Sequence, residues 1–154
     1  MTMPAIVTIG RAVTQILTDK AAGGTPFATA VVVKFAYLPV YELADLTTAV
    51  LTVVPKALES ELASRIGLDR HFHIDVALQC KTTADGAEAD GQLDTLMALV
   101  GAVDDFIRAT SLPDLDDVTW VGSTNNPIYS VEHLRKGVFT SVLTLTYRVI
   151  GGGS

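Results

Sequence analysis

The chain has 154 residues, enough for one ordinary domain, and its 49% hydrophobic and 18% charged residues exclude a disordered polar polymer. Its 11 Lys and Arg against 17 Asp and Glu give a net charge of −6, and the basic residues stand singly instead of forming the stripe that would neutralise phosphates, which argues against specific nucleic-acid binding. Cys80 is the single cysteine, so an intrachain disulfide and a paired-thiolate zinc site are excluded and a reducing compartment is expected.

No stretch reaches the roughly 18 consecutive apolar residues of a membrane span. The opening Met-Thr-Met-Pro-Ala-Ile-Val has no basic segment before a long apolar run, so the expectation is a protein made and kept in the cytosol unless an assembly carries it elsewhere. Residues 151–154, Gly-Gly-Gly-Ser, read as a flexible end. Residues 1–150 read as one domain.

In chain order, Ile6, Ile9, Val13 and Ile16 or Leu17 recur at steps of three and four, which predicts an amphipathic helix from about Pro4 to Lys20. Ala21-Ala22-Gly23-Gly24 ends it. Residues 27–38 are β-branched and aromatic, with Val31, Val33, Phe35 and Tyr37 alternating against Val32, Lys34 and Ala36, and predict a strand stopped near Pro39. A turn-like Leu-Pro-Val-Tyr-Glu follows, and residues 46–54 predict a second strand closed by Pro55, which cannot donate to a central ladder. Lys56 to Ile66 reads either as a short helix, from Leu58, Leu62 and Ile66, or as an extended arm.

From His71 to Lys81 the alternation is strict. Phe72, Ile74, Val76, Leu78 and Cys80 share one face and His71, His73, Asp75, Gln79 and Lys81 the other, predicting a half-buried strand. A polar loop, Thr82 to Gly91, precedes a second amphipathic helix carried by Leu93, Leu96, Met97, Val100, Val103 and Ile107, with Asp90 as its N-cap. Past Leu112-Pro113 a short strand is expected over Val118 to Val121, anchored by Trp120 and ended by turn formers. The last strand, Val138 to Ile150, sets Phe139, Ser141, Leu143, Leu145, Tyr147 and Val149 against threonines, valines and Arg148. Two helices and about five strands predict an α+β fold: a single twisted, largely antiparallel sheet with both amphipathic helices packed on one face.

The residues offer little chemistry. His71-x-His73-x-Asp75 projects imidazoles and a carboxylate from one strand face and is the single pattern resembling a metal site. A solvated or subunit-facing strand gives the same pattern, and no acid-rich helix supplies further ligands. Cys80 sits on the apolar face, where burial raises its thiol pKa, and reads as a structural thiol. No G-x-S-x-G elbow is present. Ala22-Gly23-Gly24-Thr25 lacks the lysine of a phosphate loop. The acidic groups Asp85, Glu88 and Asp90, and Asp114, Asp116 and Asp117, lack the spacing of a calcium loop and read as solvated loops. The outward strand faces carry Thr47, Thr52, Thr140, Thr144, Thr146 and Arg148 among valines, a half-polar face that another subunit could cover.

The order of helix and strand, then Leu-Ala-Asp-Leu and Ala-Val-Leu-Thr-Val-Val-Pro, Ser-Arg, His-Ile-Asp-Val-Ala-Leu-Gln-Cys-Lys, an amphipathic helix and Val-Phe-Thr-Ser-Val-Leu-Thr-Leu-Thr-Tyr-Arg-Val, resembles the small tail-terminator or tail-completion proteins of long-tailed bacteriophages. The resemblance runs from Val7 to Val149 and lies in fold-level patterns. It implies a non-enzymatic virion protein without cofactor or metal, assembled in the host cytoplasm and placed in the neck. There it would form a ring, typically a hexamer, that caps the tail tube, ends its polymerisation and joins tail to head. The implied partners are other copies of the chain, the tail-tube protein and a head-completion or other neck protein, with DNA passing through the ring unrecognised. A ring needs two different complementary patches per subunit. Arg65, Arg70 and Arg148 are the candidate interface cations, able to fork onto a neighbour's carboxylates. The loops Thr82 to Gly91 and Gly122 to Lys136 are the candidate contacts with neighbours or tube. Two other readings stand beside this one: a head-closure protein touching the portal, and a small metal-dependent enzyme or ligand-binding domain built on His71, His73 and Asp75.

Overall fold

The structure, a computed structural model, describes residues 4–37, 46–62, 68–82 and 87–151. Its elements in chain order are α1 (Ala5–Ala22), β1 (Val31–Phe35), β2 (Ala49–Leu62), β3 (Leu68–Lys81), α2 (Ala87–Ala109), β4 (Val118–Thr124), α3 (Val131–Arg135) and β5 (Val138–Gly151). The five strands make one sheet in the order β1-β2-β3-β5-β4. β1 pairs parallel to β2 and the other three pairings are antiparallel, so the α+β sheet is mixed but largely antiparallel.

Strict alternation makes the central strands two-faced. Leu51 and Val53 of β2, Phe72, Ile74, Val76, Leu78 and Cys80 of β3, and Phe139, Leu143, Leu145 and Tyr147 of β5 are buried in one cluster with Ile9, Val13, Ile16 and Leu17 of α1 and Leu96, Leu99, Val100, Val103 and Ile107 of α2. Both long helices therefore pack on the same face of the sheet. Each such fully buried aliphatic or aromatic side chain contributes about 1.5–3 kcal/mol, and truncating Ile74 or Leu145, both 0% exposed, would cost about 2–5 kcal/mol. Gly10 lets α1 approach β1 closely: a Cβ there would meet the Phe35 ring at 2.8 Å.

The structure moves several boundaries. β1 spans only Val31–Phe35, because Phe27 turns inward as a plug, buried edge-on against Phe106 of α2 at 5.9 Å with Lys20 over both rings. The turn expected at residues 38–42 lies outside the described residues. β2 does not stop at Pro55. It runs to Leu62 and settles the Lys56–Ile66 segment, as far as Leu62, as an extended arm paired with β3. Proline is tolerated there because the β1 pairing ends at Val53 and the β3 register shifts between Pro55 and Ala57, so the missing N–H falls beside a bulge.

α2 begins at Ala87, inside the expected loop, so Asp90 is not its N-cap but lies within its first turn. There a carboxylate still favours the helix dipole. β4 continues through a bulge at Val121 to Thr124, with Gly122 at the irregularity. α3 was not anticipated. Its N-cap is Ser130, whose hydroxyl accepts from the His133 amide at 3.2 Å. Gly151 is not part of a free end, since it closes β5 opposite Leu68.

Candidate functional site

Opposite α1 and α2, β2, β3 and β5 present a polar face whose order follows from the register. His71 lies beside Arg148, His73 beside Thr146 and Asp75 beside Thr144, with Glu59 and Ala57 of β2 beside the two histidines. Cross-strand neighbours on one face are close enough to interact directly, and here they do. Arg148 donates from Nε and Nη2 to the two carboxylate oxygens of Asp69, each at 2.8 Å. Chiefly through that hydrogen bond, against opposing partial burial, the Asp69 carboxyl is held below the usual carboxylate range. The same contact raises the Arg148 guanidinium further.

The remaining groups pair along the ladder. His71 Nδ1 lies 3.9 Å from Asp69 Oδ1. His73 Nδ1 is 3.0 Å from the Thr146 hydroxyl. Its Nε2 is 3.2 Å from Glu59 Oε1 but lacks hydrogen-bond alignment, so that ring nitrogen is buried without a formed bond. Thr144 donates to Asp75 Oδ1 at 2.6 Å, and Lys56 Nζ stands 3.7 Å from the same oxygen.

This arrangement separates the His71-His73-Asp75 pattern. Alternate residues of a strand are roughly 6.5–7 Å apart, and each of the three side chains is engaged by a different neighbour. Among the described residues no group of three or more His, Cys, Asp or Glu converges as a metal site requires. The third histidine, His133, is committed elsewhere, with Nδ1 2.9 Å from the Thr140 hydroxyl.

The candidate interface cations fall in different settings. Arg148 spends its fork on the chain's own Asp69. Arg70 is half-buried in β3, between Ser60 and Val149. Arg65 lies outside the described residues. Of the two candidate contact loops, Thr82 to Gly91 contains the start of α2, and its residues 83–86 lie outside the described residues. Gly122 to Lys136 is more ordered than a loop. Asn125 Nδ2 donates to Ser141 Oγ at 3.0 Å and to the Val142 carbonyl at 2.8 Å, the Ser141 hydroxyl donates to the Ile128 carbonyl at 2.6 Å, and the Ser130 amide donates to the Thr140 carbonyl. These bonds seal the stretch of β5 that β4 leaves unpaired. Ile128, Tyr129 and Val131 stay exposed beside it.

Cys80 is buried on the helix side, and burial pushes its thiol up, the opposite of what a nucleophile needs. Asp114, Asp116 and Asp117 are exposed turn residues ahead of β4, Asp114 with φ 60°. A groove of about 320 Å³ runs between the end of α2 and β4, lined by Arg108, Leu112, Leu115, Asp116, Trp120 and Tyr147. Trp120 Nε1 and the Tyr147 hydroxyl are buried beneath its surface without hydrogen-bond partners, so they present no polar atom to a ligand in the groove.

No helix among the described residues is long and apolar enough to cross a membrane. No protein-family model matches the chain, and no curated protein matches it.

Proposed function

We propose that the chain is a structural protein of the tail-terminator type, forming a ring that caps a phage tail tube and joins it to the head. The observation that carries this reading is the part of the sheet face turned away from α1 and α2 that lies around Asp69, His71, Glu59 and Arg148. The other end of that face, at Thr52, Gln79 and Thr140, is buried within the chain, with His133 of α3 against Thr140. In the first part the charged and polar groups, from Asp69 and Arg148 to Asp75 and Thr144, are consumed by one another across three strands instead of converging around a cleft. A face neutralised in this way suits contact with other subunits, because few of its charges must be stripped of partners on docking. The net charge of −6 suits a channel through which DNA slides without sticking. The open sheet, ending in β1 on one side and β4 on the other, gives each subunit two different edges, as a cyclic assembly needs.

The test is native mass by light scattering together with negative-stain microscopy, on the protein alone and mixed with tail-tube protein. Rings of one size and caps at tube ends are the expected result. A stable monomer that ignores tubes would overturn the proposal. Binding to a portal ring instead of the tube would move the protein to head closure.

A further inference from the structure

Two surfaces at opposite ends of the β4–β5 pair are left unused by the chain's own fold. At one end, the cap that follows β4 holds Ile128, Tyr129 and Val131 in solvent, at 50%, 38% and 52% exposure. Bonds from Ser141 to the Ile128 carbonyl and from the Ser130 amide to the Thr140 carbonyl fix the cap on β5, so this apolar cluster is a built surface. In α3, Val131 and Arg135 stand at helical spacing and share one side of its short turn. Arg135 and Lys136 are exposed, and no side-chain bond or ion pair engages either of them among the described residues. Glu132 is the one acid of α3. At the other end lies the groove between α2 and β4, apolar at Leu112, Leu115, Val118 and Trp120 and bordered by Asp116. Asp114 and Asp117 lie in the turns beside it. These three carboxylates are exposed and likewise unengaged among the described residues, whereas Arg108, the cation of the groove, is bonded to Asp105 at 2.8 Å.

We propose that the cap of one copy seats in the groove of the next, with Ile128 and Val131 against Leu115 and Trp120, and with Arg135 and Lys136 facing Asp114, Asp116 and Asp117. Charge complementarity selects a second copy as the occupant: the free cations border the protruding apolar cluster and the free anions border the apolar groove. Each surface thus has an apolar centre and a charged rim, the anatomy of a protein–protein contact. A chain cannot satisfy its own groove. Thr140, bonded to the cap, and Tyr147, beneath the groove, are roughly 23 Å apart along β5. The two surfaces are different, so the contact is head-to-tail, repeats from copy to copy and closes into a ring when its rotation permits. The inference rests on the ring reading above and specifies its interface.

The experiment uses two double variants of the full chain, R135E/K136E and D116K/D117K, and Val131→Ser, which leaves every charge in place. All five positions are exposed, and circular dichroism checks the fold of each variant. Native mass is measured across protein concentration for each variant and for an equimolar mixture of the two double variants. Either double variant alone sets like charges on cap and groove and should assemble on the order of tenfold more weakly than the unaltered chain, or worse. The mixture should recover assembly, with the two variants alternating, since each reversed surface then meets its complement. Val131→Ser should weaken assembly roughly tenfold through the lost apolar burial. Two results would overturn the cap-in-groove contact while leaving the ring reading in place: any of the variants assembling like the unaltered chain, or a mixture that fails to recover. Open filaments that the charge swap disrupts and restores, with tubes left uncapped, would keep the contact and remove the ring reading. An unaltered chain that stays monomeric would remove both.

Discussion

Arg148 and Asp69 form a two-point fork across β5 and β3, diagonal to the register that sets Arg148 opposite His71. Its pH dependence has a definite sign. Because the Asp69 carboxyl is held below its ordinary value near 3.8, the folded state binds fewer protons there than the unfolded state. The contribution is complete above that value and is lost as pH falls through the folded pKa. Asp69→Asn should therefore lower the thermal midpoint at neutral pH, and the gap to the unaltered protein should narrow in acid below the carboxylate range. Thermal unfolding followed by circular dichroism at a series of pH values reads this directly. A gap that persists unchanged in strong acid would assign the loss to packing.

Cys80 should be nearly silent towards thiol reagents. It is 8% exposed and its thiol is raised by burial, so both access and thiolate fraction are reduced. At pH about 8 a disulfide reagent should label the denatured chain rapidly and the native chain at a rate set by opening of the sheet. Native labelling as fast as denatured labelling would show that β3 is not packed as described.

Tyr147→Phe should raise stability by about 1 kcal/mol, because the hydroxyl is buried without a partner and its desolvation is uncompensated. Burial also pushes the phenol well above its ordinary value of 10.0. In alkali the unfolded tyrosine ionises while the native one stays protonated, so the native state binds the extra proton and stability falls as pH rises. The Phe variant should lack that share of the alkaline slope. Chemical denaturation at neutral and alkaline pH measures both effects.

Asn125→Ala removes the bonds to Ser141 and Val142 that close the free stretch of β5. Losing two part-buried hydrogen bonds should cost about 1–3 kcal/mol. The loosening should be local, with faster hydrogen exchange at the Ser130 amide, which is bonded to the Thr140 carbonyl, and little change in β3. Uniform acceleration across the sheet would point to a global role for Asn125.

The fold was legible wherever periodicity was long. The stripe Ile9, Val13, Ile16 and Leu17 and the strict alternation from Phe72 to Cys80 named the core-facing residues directly. The sequence misled where one residue's local preference met a tertiary accommodation. Pro55 reads as a stop, yet the strand passes through it because its neighbour ends and a bulge takes up the register. Gly122 likewise marks a bulge inside β4, not the end of the strand. α3 is a five-residue turn, too short for periodicity to reveal, although Ser130 three residues before His133 carried its capping signal. The parallel pairing of β1 with β2 has no signature in either strand, since pairing partners are not written in composition. At the polar face, the spacing His71, His73, Asp75 correctly placed three groups on one side of a strand. It could not tell that β2 and β5 would engage His73 and Asp75 while His71 stood beside Asp69 of its own strand.

The parallel β1–β2 pairing makes one side of the sheet depend on a crossover. The antiparallel pairs β2–β3 and β4–β5 connect segments near each other in sequence, and β3–β5 fastens them together. β1 adds on through five residues of one neighbour, with α1 packed over it, after a crossover that costs loop entropy before it is rewarded. A chain in which α1 and β1 have not yet docked leaves the edge of β2 unpaired and Leu51 and Val53 without their cover. The strand that completes this side of the sheet thus also completes the core beneath it.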